Sequence, residues 1–198
     1  MPRYAAASFG GFVRNIEFKA ELRDTPLARS IAQALGARLL GIVEQTDTYF
    51  RLARDGGARL KRRVTPAEPT EYIEYNRADT ISPRPSDYRR YSEEQALDRF
   101  GHLELPVWAV VRKVREVYLL DTVRIHIDDV ECLGRFIEFE AIVSPDPNAS
   151  ASEAARTDAI ACHARIEELR DDFRAAMGEP LAVGYADLLA IEGVIDAR

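Results

Sequence analysis

The chain has 198 residues, 46% of them hydrophobic and 30% charged, which fits one soluble globular domain large enough to bury a core without cross-links. A formal net charge of -6 argues against general binding of nucleic acid or of an anionic membrane. The two cysteines, Cys132 and Cys162, are too few for a Cys-rich zinc site and need no disulfide, and no apolar run approaches the roughly 20 residues of a membrane span. A cytoplasmic protein is therefore expected.

Residues 1–14 read as a flexible lead-in and 15–198 as a single domain. NIEFKAEL (15–22) alternates strictly, with Asn15, Glu17, Lys19 and Glu21 on one face and Ile16, Phe18, Ala20 and Leu22 on the other, so it is a strand. Pro26 opens a helix in which Leu27, Ile31, Leu35 and Leu39 recur every four residues, predicting a helix over 26–39. Strands follow at 46–53, 58–64 and 70–78, the first two joined by a turn at RDGG (54–57). TISPRPSDYRRY (80–91) is polar with two prolines and reads as a mobile loop. Ser92 and Gln95 form the ends of a capping box before a short helix stopped by Gly101.

Three more strands are expected at 105–120, 121–130 and 134–143. After the polar break SPDPNASAS (144–152), a long helix over 152–177 carries Ala159, Cys162, Ile166, Leu169, Phe173 and Met177 on one stripe. A short helix at 184–190 ends the pattern. Seven or eight strands in hairpin order with three or four helices predict an α+β fold with a largely antiparallel, barrel-like sheet.

The polar faces of these strands form a series. They carry the bases Lys19, Arg51, Arg59, Lys61, Arg63, Lys113, Arg115 and Arg124, and the acids Glu17, Glu21, Asp128, Glu138 and Glu140. Arg77 joins them on a strand that alternates less cleanly. The faces sum to +3, which leaves -9 for the rest of the chain. If the sheet closes with these faces inward, charge this dense requires tight ion pairs or a polyanion with metal ions. Arg and Lys suit phosphate oxygens, and Glu and Asp supply the oxygen ligands Mg²⁺ or Mn²⁺ prefer. No P-loop, G-x-G-x-x-G after a strand, or H-E-x-x-H is present. His126 lies on the polar face of its strand, and no Ser or Cys nucleophile pairs with it by spacing; it reads as a residue of the barrel wall or a phosphate contact.

N-I-E-F-K (15–19) resembles the E-x-E-x-K strand of the CYTH family of triphosphate tunnel metalloenzymes. RLKRR (59–63), SPRPSDYRRY (82–91), VRKVREVY (111–118), VRIHIDDVECLG (123–134), FIEFE (136–140) and YADLL (185–189) resemble its later segments in order, closest to its bacterial class IV adenylate cyclase-like branch. The resemblance implies a closed antiparallel barrel of eight strands flanked by helices. It implies Glu17, Glu138 and Glu140, with Asp128 as a further candidate, as ligands for Mg²⁺ or Mn²⁺. It implies phosphate contacts from Arg51, Arg59, Lys61, Arg63, Lys113, Arg115 and Arg124, and catalytic roles for Lys19, Lys113 and Arg115. Asn15 departs from the pattern by replacing the first glutamate, which removes one negative charge from the metal side. Cys132 stands where the E-G-L-G turn has glycine.

The function this implies is metal-dependent chemistry on a triphosphate: ATP to cyclic AMP and pyrophosphate, or hydrolysis of tripolyphosphate or thiamine triphosphate. The alternatives are a non-catalytic nucleotide- or polyphosphate-binding module and a plain structural sheet. Neither nucleic acid nor membrane is expected as a partner, and the chain is expected to be a monomer or homodimer.

Overall fold

The computed structural model describes residues 11–52, 58–101, 105–143 and 151–193. The predicted RDGG turn at 54–57, His102, most of the polar break and most of the lead-in lie outside these residues. The elements are β1 (Phe12–Leu22), α1 (Thr25–Ala34), β2 (Arg38–Phe50), β3 (Arg59–Val64), β4 (Glu71–Arg77), β5 (Arg84–Tyr91) and α2 (Glu93–Phe100). They continue with β6 (Val107–Leu120), β7 (Val123–Val130), β8 (Gly134–Ile142), α3 (Ala151–Asp172), β9 (Met177–Pro180) and α4 (Tyr185–Ile191).

Eight strands close into an antiparallel barrel in the order β1-β5-β4-β3-β2-β6-β7-β8, returning to β1. Closure falls on β1. Its first half, from Phe12 to Glu17, pairs with β5 on one side, while Asn15 to Glu21 pair with β8 on the other. Past the end of β5, the short β9 takes over the freed edge of β1 at Ala20 and Leu22. A closed ring leaves no exposed strand edge and fixes two faces, one inside and one outside.

The outside of β1, β7 and β8 is apolar, and α1 and α3 lie on it. Ile16, Phe18, Ile125, Phe139, Ile166 and Phe173 are fully or nearly fully buried in this layer. The predicted stripe of α3 is the face that packs there: Cys162, Ile166 and Leu169 on the helix, and Phe173 just beyond its end, are buried. A second apolar cluster joins Tyr185, Ala186 and Leu189 of α4 to Tyr49, Ala109, Val111 and Phe136, so α4 covers one end of the barrel. The capping box at Ser92 and Gln95 forms as expected and starts α2 over the outside of β3, β4 and β5.

Several elements differ from the sequence reading. The segment 80–91 is not a loop beyond Ser82–Pro83: β5 runs from Arg84 to Tyr91 and closes the barrel. Pro85 lies opposite Ile16 of β1 but beyond the β4 pairing, which begins at Ser86, so its missing N–H costs no bond to β4. The first helix stops at Ala34 because Gly36 adopts φ +83°, and Leu39 belongs to β2, which starts eight residues earlier than predicted. The long helix stops at Asp172, and Met177 is the first residue of β9.

Candidate active site

The inner face of the barrel is the charged one. Odd residues of β1, β3, β4 and β6, odd residues of β2 past its irregularity at Leu39, and even residues of β5, β7 and β8 point inward. The cavity they line carries eight Lys or Arg and five Glu side chains, an excess of three positive charges. Lys19, Lys61, Arg63, Lys113, Arg115 and Arg124 line it, as do Glu17, Glu138 and Glu140.

Strand register explains how these groups meet. On β1 and β8, Lys19 lies opposite Glu138 and Glu17 opposite Glu140. On β7 and β8, His126 lies opposite Glu138 and Arg124 opposite Glu140. Glu138 therefore sits between Lys19 (3.5 Å) and His126, and it also accepts a 2.7 Å hydrogen bond from Arg115. Burial alone would raise its pKa, but Lys19 and Arg115 hold it well below the usual carboxylate range. Glu140 pairs with Arg124 at 3.9 Å. Like charges placed opposite each other, as Glu17 and Glu140 are, need cations between or beside them. Glu17 meets Arg77 and accepts from Arg84 Nε at 3.2 Å.

Asp128 is fully buried and does not line the cavity. It accepts two 2.6 Å bonds from Arg115 and one of 2.7 Å from the Tyr185 hydroxyl. Arg51 lies exposed just past the end of β2, outside the cavity. Its parity matched the inward face, but the strand ends at Phe50 before it can point in. Arg59 shares the inward parity of Lys61 and Arg63 yet sits at the covered end, bonded to Asp79 at 2.9 Å and 3.7 Å from Asp187. Glu21 is exposed.

Three groups escaped the sequence reading. Asp47 on β2 is completely buried opposite Arg63 and binds three bases: Arg63 at 2.7 Å, Lys61 at 3.1 Å and Lys113 at 3.1 Å. Its signal was present, since Asp47 alternates with Tyr49 on the strand predicted at 46–53. Arg84 was hidden in the supposed loop, where Arg84, Ser86, Tyr88 and Arg90 alternate between equally polar neighbours. Tyr185 on α4 carries Lys19 over its ring, 3.8 Å from the centroid, with Lys113 at 5.5 Å. No strand pattern could place a helix residue there.

The lysines feel this crowding. Burial first, and then Arg115, bring Lys113 down to about 7. Burial and Arg63 bring Lys61 down to about 8. Burial also lowers Lys19 against the opposing pull of Glu138. Asp47, by contrast, stays well below the carboxylate range: burial would raise it, but Arg63, Lys113 and Lys61 dominate. One carboxylate shared by three bases cannot fully compensate them, which reconciles an acid held charged with lysines that lose protons easily. Lys19, Lys61 and Lys113 thus converge at the end covered by α4, over the rings of Tyr49, Tyr75 and Tyr185.

Among the described residues, one group can hold a metal ion: ligand atoms of His126, Glu138 and Glu140 lie within 4.8 Å of one another. These residues fit a divalent cation, because two are carboxylates and, among the described residues, neither buried His126 ring nitrogen has a partner at hydrogen-bond distance. Asn15 also faces the cavity, and its buried Oδ1 has no hydrogen-bond partner among the described residues.

The CYTH domain family model matches residues 14–168. A protein of Methanocaldococcus jannaschii named "Putative adenylate cyclase" is 27% identical over 140 residues, covering 65% of this chain and 77% of its own. Among solved structures, the PH1012 protein of Pyrococcus horikoshii aligns with a TM-score of 0.63 at 21% identity, over 88% of this chain and 98% of that one. A Hippeastrum protein, described as a "putative adenylyl cyclase" with a dominant triphosphatase activity, aligns with a TM-score of 0.54 at 16% identity, over 91% and 96% of the two chains. No helix among the described residues is long and apolar enough to cross a membrane.

Proposed function

The chain belongs to the CYTH domain family, and from that premise we propose that it is an enzyme that cleaves a triphosphate inside the barrel with the help of a divalent cation. The observation that carries the reading is the crowding of eight Lys and Arg side chains on the cavity wall beside a carboxylate cluster. Crowding bases at a wall largely withdrawn from water is costly unless anions neutralise them. With α4 across one end, the phosphates of a triphosphate would lie deepest and its organic group nearer the other end.

In this reading Lys19, Lys61 and Lys113 contact the deepest phosphate oxygens, and Arg63, Arg115 and Arg124 hold the others. Arg115 is aimed by its two-point contact with Asp128, and Tyr185 in turn steadies Asp128. Fixed positive groups directed at phosphate oxygens stabilise the charge that shifts onto them in the transition state, typically the largest catalytic contribution. Glu138 and Glu140, with Glu17 opposite, would hold Mg²⁺ or Mn²⁺, which when bound supplies charge neutralisation and orients the nucleophile. That nucleophile is either the ribose 3′-hydroxyl of ATP, attacking the α-phosphorus to release pyrophosphate, or water attacking the terminal phosphorus. The relatives' names support both forms, adenylate cyclase and triphosphatase.

Asn15 favours a second reading, a non-catalytic triphosphate-binding module, because a neutral amide replaces one acid on the metal side. One experiment separates the readings. The purified protein is incubated with ATP, tripolyphosphate or thiamine triphosphate plus Mg²⁺ or Mn²⁺, and cyclic AMP, pyrophosphate and phosphate are measured. Turnover that disappears in a folded Glu138→Ala variant supports the enzyme and the product identifies its form. Tight triphosphate binding without turnover supports the module, and turnover without added metal in the presence of chelator overturns the role given to Glu138 and Glu140.

A further inference from the structure

We propose that His126 is a nitrogen ligand at the metal site, completing with Glu138 and Glu140 a mixed imidazole and carboxylate set that favours a first-row transition ion over Mg²⁺. The inference rests on the metal-dependent reading above and adds to it the chemical class of the ion. It begins from register: β7 and β8 place His126 opposite Glu138, with Glu140 two residues further along the same inward face. The ring is 1% exposed. Among the described residues Nδ1 has only a long contact of 3.7 Å to Glu138 Oε2, beyond hydrogen-bond length, and Nε2 has no partner.

An imidazole offers one N–H donor and one lone pair, and buried histidines normally use at least one. Here neither is used at hydrogen-bond distance among the described residues, at the wall of a cavity and beside two carboxylates that bring ligand oxygens within 4.8 Å. If the position only filled space, an apolar side chain would serve, as the inward Val117 does directly opposite on β6. Mg²⁺ takes oxygen donors and parts reluctantly with its waters, whereas transition ions accept imidazole nitrogen, with Mn²⁺ the weakest binder of that series. Glu138 also meets Lys19 and Arg115, so an ion competes with both cations for that carboxylate.

The test uses the whole protein and Mn²⁺ alone, without triphosphate. Pulsed electron paramagnetic resonance on protein with ¹⁵N-labelled histidine reads directly coordinated nitrogen, and the wild-type spectrum needs no variant. One imidazole nitrogen is expected on Mn²⁺. In His126→Gln that coupling should vanish and Mn²⁺ affinity should fall at least about tenfold, the lower end of what losing even a supporting residue costs a metal site. Mg²⁺ affinity should change less, and His163→Gln, on an exposed position of α3, should keep the coupling. Bound Mn²⁺ with oxygen-only coupling, or unchanged Mn²⁺ affinity in His126→Gln, overturns the proposal. Triphosphate turnover with oxygen-only coupling would sink this inference alone, and nitrogen-coupled Mn²⁺ without turnover would sink only the enzyme reading. No Mn²⁺ binding would overturn the metal site itself.

Discussion

Two walls of the barrel interior handle charge differently. On β2, β3 and β6, one acid, Asp47, serves three bases, and burial leaves two of those bases with pKa values near 7 and 8. On β1, β7 and β8, acids and bases interleave: Glu138 meets Lys19, Glu140 meets Arg124, Arg115 reaches from β6 to Glu138 and Asp128, and Glu17 is held by Arg77 and Arg84 reaching from β4 and β5. The first wall has positive charge to spare and calls for an anion. The second is close to balance without any ligand. Under the proposed function the two ligands therefore assist each other, because a cation on Glu138 loosens Lys19 and Arg115 for the phosphates.

The hardest way to break this contrast is to remove the one acid of the first wall. Asp47→Asn leaves Lys61, Arg63 and Lys113 facing one another around a fully buried position. Taking one partner from a buried ion cluster costs about 3–5 kcal/mol. Urea unfolding should show that loss in the ligand-free protein, and tripolyphosphate should recover part of it by supplying the missing negative charge. An unchanged midpoint would mean that these bases are satisfied elsewhere and that the wall holds no surplus.

Changing pH sharpens the same contrast with a smaller effect. Lys113 and Lys61 have folded-state pKa values below that of a free lysine. Between about pH 7 and pH 9.5 the unfolded chain therefore holds more protons on these residues than the folded one. The folded state then gains stability as pH rises, with a slope approaching about 1.4 kcal/mol per pH unit for each lysine. Triphosphate binding runs the other way, because it needs the charged ammonium groups, so affinity should fall across the same window. Lys113→Arg, which keeps its charge, should flatten both profiles. A stability that falls from pH 7 to 9 would contradict the low pKa values assigned to this wall.

The acid-bearing wall was the more legible in the sequence, for a physical reason. NIEFKAEL, VRIHIDDV and FIEFE each set an apolar outer face against a charged inner one, so period two shows which residues share a side. β5 has no such contrast, since its outer face is itself polar. Arg84, the clamp on Glu17, was therefore invisible. Asp47 lay on a predicted strand with the right parity, but its three partners come from two other strands, which no single-strand pattern can reveal. Inward parity also says nothing about depth: it grouped Asp128 and Arg51 with the site, but one is sealed behind Arg115 and the other lies past the strand end.

The smallest expected effect belongs to the turn that sets the register of the acid-bearing wall. Residues 131–133 join β7 to β8, and Val130 pairs with Gly134 across it, so this turn fixes His126 opposite Glu138. Cys132 sits there at φ +66° with its thiol free and exposed. A side chain in that left-handed conformation costs about 1–2 kcal/mol, because Cβ crowds the following carbonyl oxygen. Glycine removes the crowding but gives the unfolded chain more freedom, which returns roughly 0.5–1 kcal/mol of the gain. Cys132→Gly should therefore stabilise the protein by about 0.5–1 kcal/mol, raising Tm by only a few degrees in a chain of this size. Since the register is kept, turnover and metal dependence should not change. A lower Tm would show that the thiol's contacts outweigh the backbone strain, and altered metal dependence would show that the turn tunes the wall as well as joining its strands.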